Sequence, residues 1–317
     1  MERCDFLPVS AEEMHERGWW WYDALVVGGD AYVDHPSFGT AVISRVLEAE
    51  GLRVAVLAQP DWHDAEAFRA MGRPRLGVFI GAGNLDSMVA HYTAAKRRRS
   101  EDFYSPGKRS GCRPDRAAIV YCNRAREAFG PDMPIILGSL EASLRRFAHY
   151  DYWDDSVRRA ILFDAPADLL VYGMGEAATI EIAHRLKKKQ SVRTMTDIPG
   201  TGYITRDPSV CKFDHITLPS FEDVRDDKRL YAEATRTEYA EHDPIRGRAM
   251  IQPCEGRYLI INPPAMPLDT KELDRVAELP YTREWHPMYE PLGGVPAIEE
   301  VRFSVIHNRG CFGGGNF

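Results

Sequence analysis

The chain has 317 residues, a formal net charge of -7, and 44% hydrophobic and 27% charged residues. That length suits one large or two ordinary globular domains with a sizeable core. The acidic balance excludes an electrostatic grip on nucleic acid as the main activity, because phosphate binding needs a basic surface.

No apolar run is long enough to span a bilayer, and the opening MERCDFLPVSAEEM carries no charged-then-apolar signal. A cytoplasmic protein is expected. The cysteines, Cys4, Cys112, Cys122, Cys211, Cys254 and Cys311, form no C-x-x-C pair, which excludes a zinc ribbon or a thioredoxin-like centre. The first five read as reduced, structural or incidental thiols.

In chain order, DALVVGG (23–29) is an apolar run ending in glycines, which predicts a buried parallel strand. After the loop DAYVDHPSFG, the segment TAVISRVLEAEG predicts an amphipathic helix with Val42, Val46 and Leu47 apolar and Gly51 as its stop. LRVAVLAQPDW supplies a second strand over 54–58, so the three elements form a β–loop–α–β unit with parallel strands. The alternation continues with a short helix in DAEAFRAMG, a strand over 76–83, and a helix in RPDRAAIVYCNRAREAFG that has Pro114 in its first turn and Gly130 past its end. Further strands are expected over 133–139 and 168–176. The helix AATIEIAHRLKKK then sets Lys187, Lys188 and Lys189 against the negative end of its dipole. The expected fold class is α/β: a doubly wound, parallel, five-stranded Rossmann-like sheet over residues 1–195.

Beyond residue 190 the pattern dissolves, and residues 196–300 are expected to form an irregular α+β connector. SVRTMTDIPGTGYITRDPSV and KFDHITLPS suggest small β pieces. The segment 221–243 predicts one charged helix with Phe221, Val224, Leu230 and Tyr231 inward. A short strand over 258–261 is closed by Pro263 and Pro264, and DTKELDRVAELP is a capped helix. After the proline-rich HPMYEPLGGVPAIEE, Val301, Phe303 and Val305 alternate with Arg302 and Ser304, predicting a last strand over 301–305. A glycine-rich loop with Cys311 follows it.

Ligands of open α/β sheets bind outside the carboxyl ends of the strands. Four loops should therefore meet at one edge: 28–39, 81–84, 138–141 and 173–176. Their glycines either make tight strand-to-helix turns or let backbone approach a ligand. A dense polar segment (Glu141, Arg145, Arg146, His149, Asp151, Asp154) suits either an anion clamp or a surface ion-pair network. The basic run 96–99, with Lys108 and Arg109, reads as a solvated face. His63, His91, His184 and His286 lack metal-ligand spacing, and no G-x-S-x-G, Walker loop or G-x-G-x-x-G is present.

The tail HNRGCFGGGNF resembles the cluster loop of YgiQ-type radical S-adenosylmethionine (radical SAM) enzymes, in which RGCFGGC-x-FC supplies C-x-x-x-C-x-x-C. Here Cys311 matches, Gly315 stands where the second cysteine belongs, and the chain stops one residue before the third. The resemblance extends through GDAYVDHPSFG, GNLDSMVAHYTA, SLRRFAHYDYWDDSVRR (143–159) and INPPAMPLDTKELD, in family order. It implies a [4Fe–4S] cluster and SAM as cofactors, and reductive cleavage of SAM to a 5′-deoxyadenosyl radical. It also implies a TIM-like barrel, of which residues 301–317 would be the start. A lone thiolate cannot hold such a cluster. The chain is therefore expected to be an N-terminal portion that is inactive alone, with Cys311 the surviving ligand of an incomplete metal site.

The D-x-x-x-x-G spacing from Asp34 to Gly39, with LGSLEASL and VYGMGEAATIEI, is similar to the cobalamin-binding fold of many radical SAM enzymes. That similarity implies cofactor-binding roles for Asp34, His35, Gly39, Gly138, Gly173 and Glu176. Binders that ligate cobalt through histidine use D-x-H-x-x-G, whereas this chain has Pro36 at that position and His35 one residue early. Either a cobalamin binds without that lower ligand, or the fold keeps its shape without the cofactor. Two functions follow: a radical SAM enzyme of unspecified substrate, or a non-catalytic module that binds a small molecule or a protein partner.

Overall fold

The structure, a computed structural model, describes residues 5–306 and Arg309. In chain order, α1 (Ala11–Glu16) precedes β1 (Ala24–Gly28), α2 (Gly39–Ala49) leads to β2 (Val54–Ala58), and α3 (Glu66–Ala70) leads to β3 (Gly77–Ile80). Helices α4 (Ser87–His91) and α5 (Ala117–Phe129) separate β3 from β4 (Ile135–Leu137). After α6 (Ser139–Leu144), β5 (His149–Asp151) and β6 (Ser156–Arg158) make a separate hairpin, and β7 (Leu169–Val171) leads into α7 (Glu176–Lys187). Then come β8 (Thr201–Thr205), β9 (His215–Thr217), α8 (Phe221–Asp226), α9 (Lys228–Ala240), β10 (Ala249–Cys254) and β11 (Arg257–Ile261). The short helices α10 (Thr270–Ala277) and α11 (Ile298–Val301) complete the described chain.

One sheet organises all of this, in the order β2-β1-β3-β4-β7-β8-β11-β10-β9. The first five strands are mutually parallel, as the alternating pattern predicts. Successive strand residues face opposite layers, as a pleated strand requires. Val26, Val56, Phe79 and Val171 pack with Val42, Val46 and Leu47 of α2 and with Ile182 and Leu186 of α7. Leu25, Val27, Val78 and Leu137 pack on the other face with Tyr121, Ala125 and Phe129 of α5. Burial on both faces explains why these strands are continuously apolar. Helix α5 stops at Gly130 (φ 81°), whose N–H returns to the Arg126 carbonyl at 2.9 Å.

Three expectations change. The sheet does not end near residue 195: β8 joins β7 antiparallel, and β11, β10 and β9 extend the sheet further. The supposed connector is thus continuous with the parallel block. Its strands are mixed in direction, and β11 (Arg257–Ile261) matches the strand expected over 258–261. The charged helix over 221–243 is two helices, because Asp227 is extended (φ -127°, ψ 113°) and its side chain caps α9 through the Arg229 N–H. Phe221, Val224, Leu230 and Tyr231 do pack together.

The expected strand over 301–305 is absent. Val301 ends α11, the Ser304 N–H bonds back to the Val301 carbonyl at 2.8 Å, and Arg302 pairs with Glu284 at 2.8 Å. Phe303 and Val305 are 93% and 82% exposed. Alternation yields a strand only where a neighbouring strand offers its edge, and none does so here among the described residues. Cys311 and Gly315 lie outside the described residues.

Candidate functional site

The carboxyl ends of β1, β3, β4 and β7 surround a cavity of about 690 Å³. It opens where chain order reverses, with β2 on one side of β1 and β3 on the other, the crevice in which open α/β sheets bind ligands. Val26, Phe79, Ile136 and Val171 form an apolar floor, with Val42 and Ile43 of α2 beside it. All four glycine loops reach the rim, through Gly39, Gly81, Gly138 and Gly173.

The rim glycines are small for different reasons. A Cβ on nearby Gly29 would lie 1.9 Å from the Ala82 carbonyl oxygen, so packing alone demands glycine there. Gly173 has φ +68°, which its turn requires. Gly39 and Gly138 have no such need. Neither is left-handed, a Cβ on Gly39 would meet nothing within 4 Å, and one on Gly138 would meet only the Val171 carbonyl at 3.7 Å. Their missing side chains widen the cavity.

Hydroxyls hold the loops in register. Ser139 adopts φ +73°, and its Oγ accepts from the Ala82 N–H at 3.0 Å, joining the loops after β3 and β4. The left-handed conformation costs a non-glycine residue roughly 1–2 kcal/mol. Ser143 Oγ donates to the Ser139 carbonyl at 3.0 Å and accepts from the Gly173 N–H at 3.3 Å, bringing in the loop after β7.

Glu176 begins α7, where a carboxylate meets the positive end of the helix dipole, and it is 2% exposed. Its Oε1 pairs with Arg309, and its Oε2 makes no hydrogen bond among the described residues. Val305, Ile306 and Arg309 line the cavity from the tail side. The sequence reading missed Arg309 as a site residue because its partner is distant in the chain. It also missed Thr179, which lies one helical turn beyond Glu176 and lines the same cavity.

Four of the six expected cofactor residues (Gly39, Gly138, Gly173 and Glu176) therefore come together. Asp34 and His35 do not. Asp34 is fully buried and accepts from Arg45 Nε at 3.1 Å, from Arg45 Nη2 at 2.5 Å and from the Thr282 N–H at 2.9 Å. It stitches α2 to the segment after α10. His35 is fully buried; its Nδ1 accepts from the Ser37 N–H at 3.1 Å, and burial, reinforced by Arg283, lowers its pKa to about 4. The chain between them and the cavity turns so that Pro36 and Ser37 line it instead.

This geometry does not fit a histidine-ligated cobalamin, since no imidazole lines the cavity among the described residues. Among the described residues no group of three or more His, Cys, Asp or Glu side chains could hold a metal, and Cys112, Cys122, Cys211 and Cys254 are dispersed free thiols.

Arg145, Asp151 and Asp154 of the dense polar segment enter ion pairs outside the cavity. Arg116 bridges Asp151 at 2.9 Å and Asp154 at 2.8 Å, and Arg145 pairs with Asp86. Glu141 is fully buried, and desolvation, reinforced by Asp86, raises its pKa. Burial also lowers His149 to about 4. No helix among the described residues is long and apolar enough to cross a membrane.

The family model described as Radical SAM N-terminal matches residues 6–304. The chain is 53% identical over 317 residues to a UPF0313 protein of Clostridium botulinum (strain 657 / Type Ba4), covering 100% of this chain and 49% of that protein. It is 52% identical to a UPF0313 protein of Clostridium perfringens (strain SM101 / Type A), covering 48% of that protein. The chain thus spans about half the length of the curated relatives it matches. Among solved structures it is similar to TsrM, a radical S-adenosylmethionine methyltransferase from Kitasatospora setae with cobalamin and [4Fe-4S] cluster bound. That similarity has 18% identity and a TM-score of 0.37, over 57% of this chain and 26% of that one. The match over residues 6–304 decides the family: the chain belongs to the radical SAM N-terminal family.

Proposed function

We propose that this chain is the ligand-binding N-terminal module of a radical SAM protein. In this reading a Rossmann-like unit over 1–195, widened by the strands of 196–300, holds a small molecule beside Val305, Ile306 and Arg309, and a catalytic barrel would begin within 301–317 in the complete protein. A [4Fe–4S] cluster, when bound by such a barrel, supplies reductive cleavage of SAM. The chain's own residues bind and orient a ligand and exclude water from its apolar face. The free thiols suit a cytoplasmic protein.

The observation that carries this reading is the cavity at the sheet's carboxyl edge, where Gly39 and Gly138 leave space that neither turn geometry nor packing requires. Benzyl alcohol, an uncharged probe of suitable size, should raise the melting temperature of the wild-type chain. It should fail to do so for Gly138→Leu, whose side chain fills the cavity. An equal shift for both proteins would remove the cavity from the account. Anaerobic treatment with iron and sulfide should leave this chain without a stoichiometric cluster; one cluster per chain would contradict its assignment as a binding module alone.

A further inference from the structure

We infer that Glu176 is the recognition carboxylate of this cavity and Arg309 its internal occupant, so that the cavity takes a small molecule with an apolar body and a planar amidinium or guanidinium end. The inference rests on the reading of the cavity as a ligand site. A carboxylate withdrawn from water needs a cation or hydrogen-bond donors around it. Glu176 has the α7 N-terminus and Arg309, and its second oxygen is unclaimed among the described residues. On its far side Glu176 borders a smaller cavity of about 270 Å³, where Arg275 is already engaged by Glu272 and Glu50.

Arg309 is a replaceable partner. The fully buried Arg113 is clamped between Asp30 at 2.6 Å and Asp102 at 2.7 Å, whereas the Arg309 side chain is 31% exposed. Phe303 and Val305, which precede it in the chain, are mostly in solvent. A competing cation attached to an apolar body matches that charge. It also buries surface against Val42, Phe79 and Ile136. Phosphate-bearing ligands are disfavoured, because Glu176 and Arg309 are the charged residues among the described lining and they neutralise each other.

Benzamidine and its uncharged counterpart benzamide, titrated by calorimetry into the wild-type, Glu176→Gln and Arg309→Ala chains, test this. Benzamidine should bind wild type at least tenfold more tightly than benzamide. Arg309→Ala should strengthen benzamidine binding several-fold by removing the competitor. Glu176→Gln should erase the preference while benzamide still binds. Equal affinities in wild type, a preference that survives Glu176→Gln, or unchanged benzamidine affinity in Arg309→Ala would each overturn the inference and leave the cavity reading intact. Binding of neither compound to any of the three chains would overturn the cavity reading itself.

Discussion

Replacing Asp34 by alanine separates a structural role from a cofactor role. The substitution leaves Arg45, 2% exposed, without the carboxylate that accepts from its Nε and Nη2, and leaves the Thr282 N–H without its acceptor. Breaking a buried ion pair from one side costs about 3–5 kcal/mol, since the remaining charge stays desolvated. With a urea m-value near the upper end of the usual range, about 3 kcal/mol/M, the midpoint should fall by about 1–2 M. Circular dichroism and tryptophan fluorescence during urea unfolding measure this. Adding Arg45→Met should recover much of the loss, because no buried charge then remains. If Asp34→Ala costs less than about 1 kcal/mol yet abolishes ligand binding, Asp34 faces the ligand and the geometry argued above is wrong.

Gly39→Ala and Gly138→Ala should leave stability unchanged or raise it by about 0.4–1 kcal/mol while weakening the thermal shift produced by benzyl alcohol; a loss of stability would show that the fold needs these glycines. Burial raises the pKa of Glu238 to about 8 against the opposing pull of Arg146. The folded chain therefore keeps this proton after the unfolded chain has lost it. The resulting stabilisation is complete below about pH 4.5 and disappears as pH rises toward 8. Glu238→Gln should accordingly gain more in urea midpoint over wild type at pH 8 than at pH 5, and an equal gain at both would refute the shift. Backbone amides of 303–306 should exchange hydrogen orders of magnitude faster than those of 25–27; equal protection would mean that the segment is held by a partner strand.

The parallel half of the sheet was legible because its strands are buried on both faces and alternate with helices of clear period. Val54–Ala58 was placed to the residue, and the four glycine loops fell on the edge where they do meet. In the antiparallel half β11 matches the strand expected over 258–261, and β8 and β9 fall within the stretches expected to hold small β pieces, whereas β10 was not foreseen. Only tertiary pairing shows that these strands extend the parallel block. Spacing cannot show direction: Asp34 turns toward Arg45, and Pro36, not His35, occupies the cavity wall. The pairing of Glu176 with Arg309 joins residues far apart in the chain, so no local pattern could have revealed it. In the tail, alternation was a real pattern without a partner, and Phe303 remained in solvent.

On the proposed reading, the sheet's carboxyl edge is where this chain binds a small molecule. Amide chemical-shift mapping of the isotopically labelled chain during a benzamide titration tests it most directly. Saturable shifts should centre on Gly39, Gly81, Gly138, Gly173 and Glu176, with Leu25 and Tyr121 on the opposite layer unmoved. Shifts that cluster away from that edge, or none at millimolar probe, would contradict it.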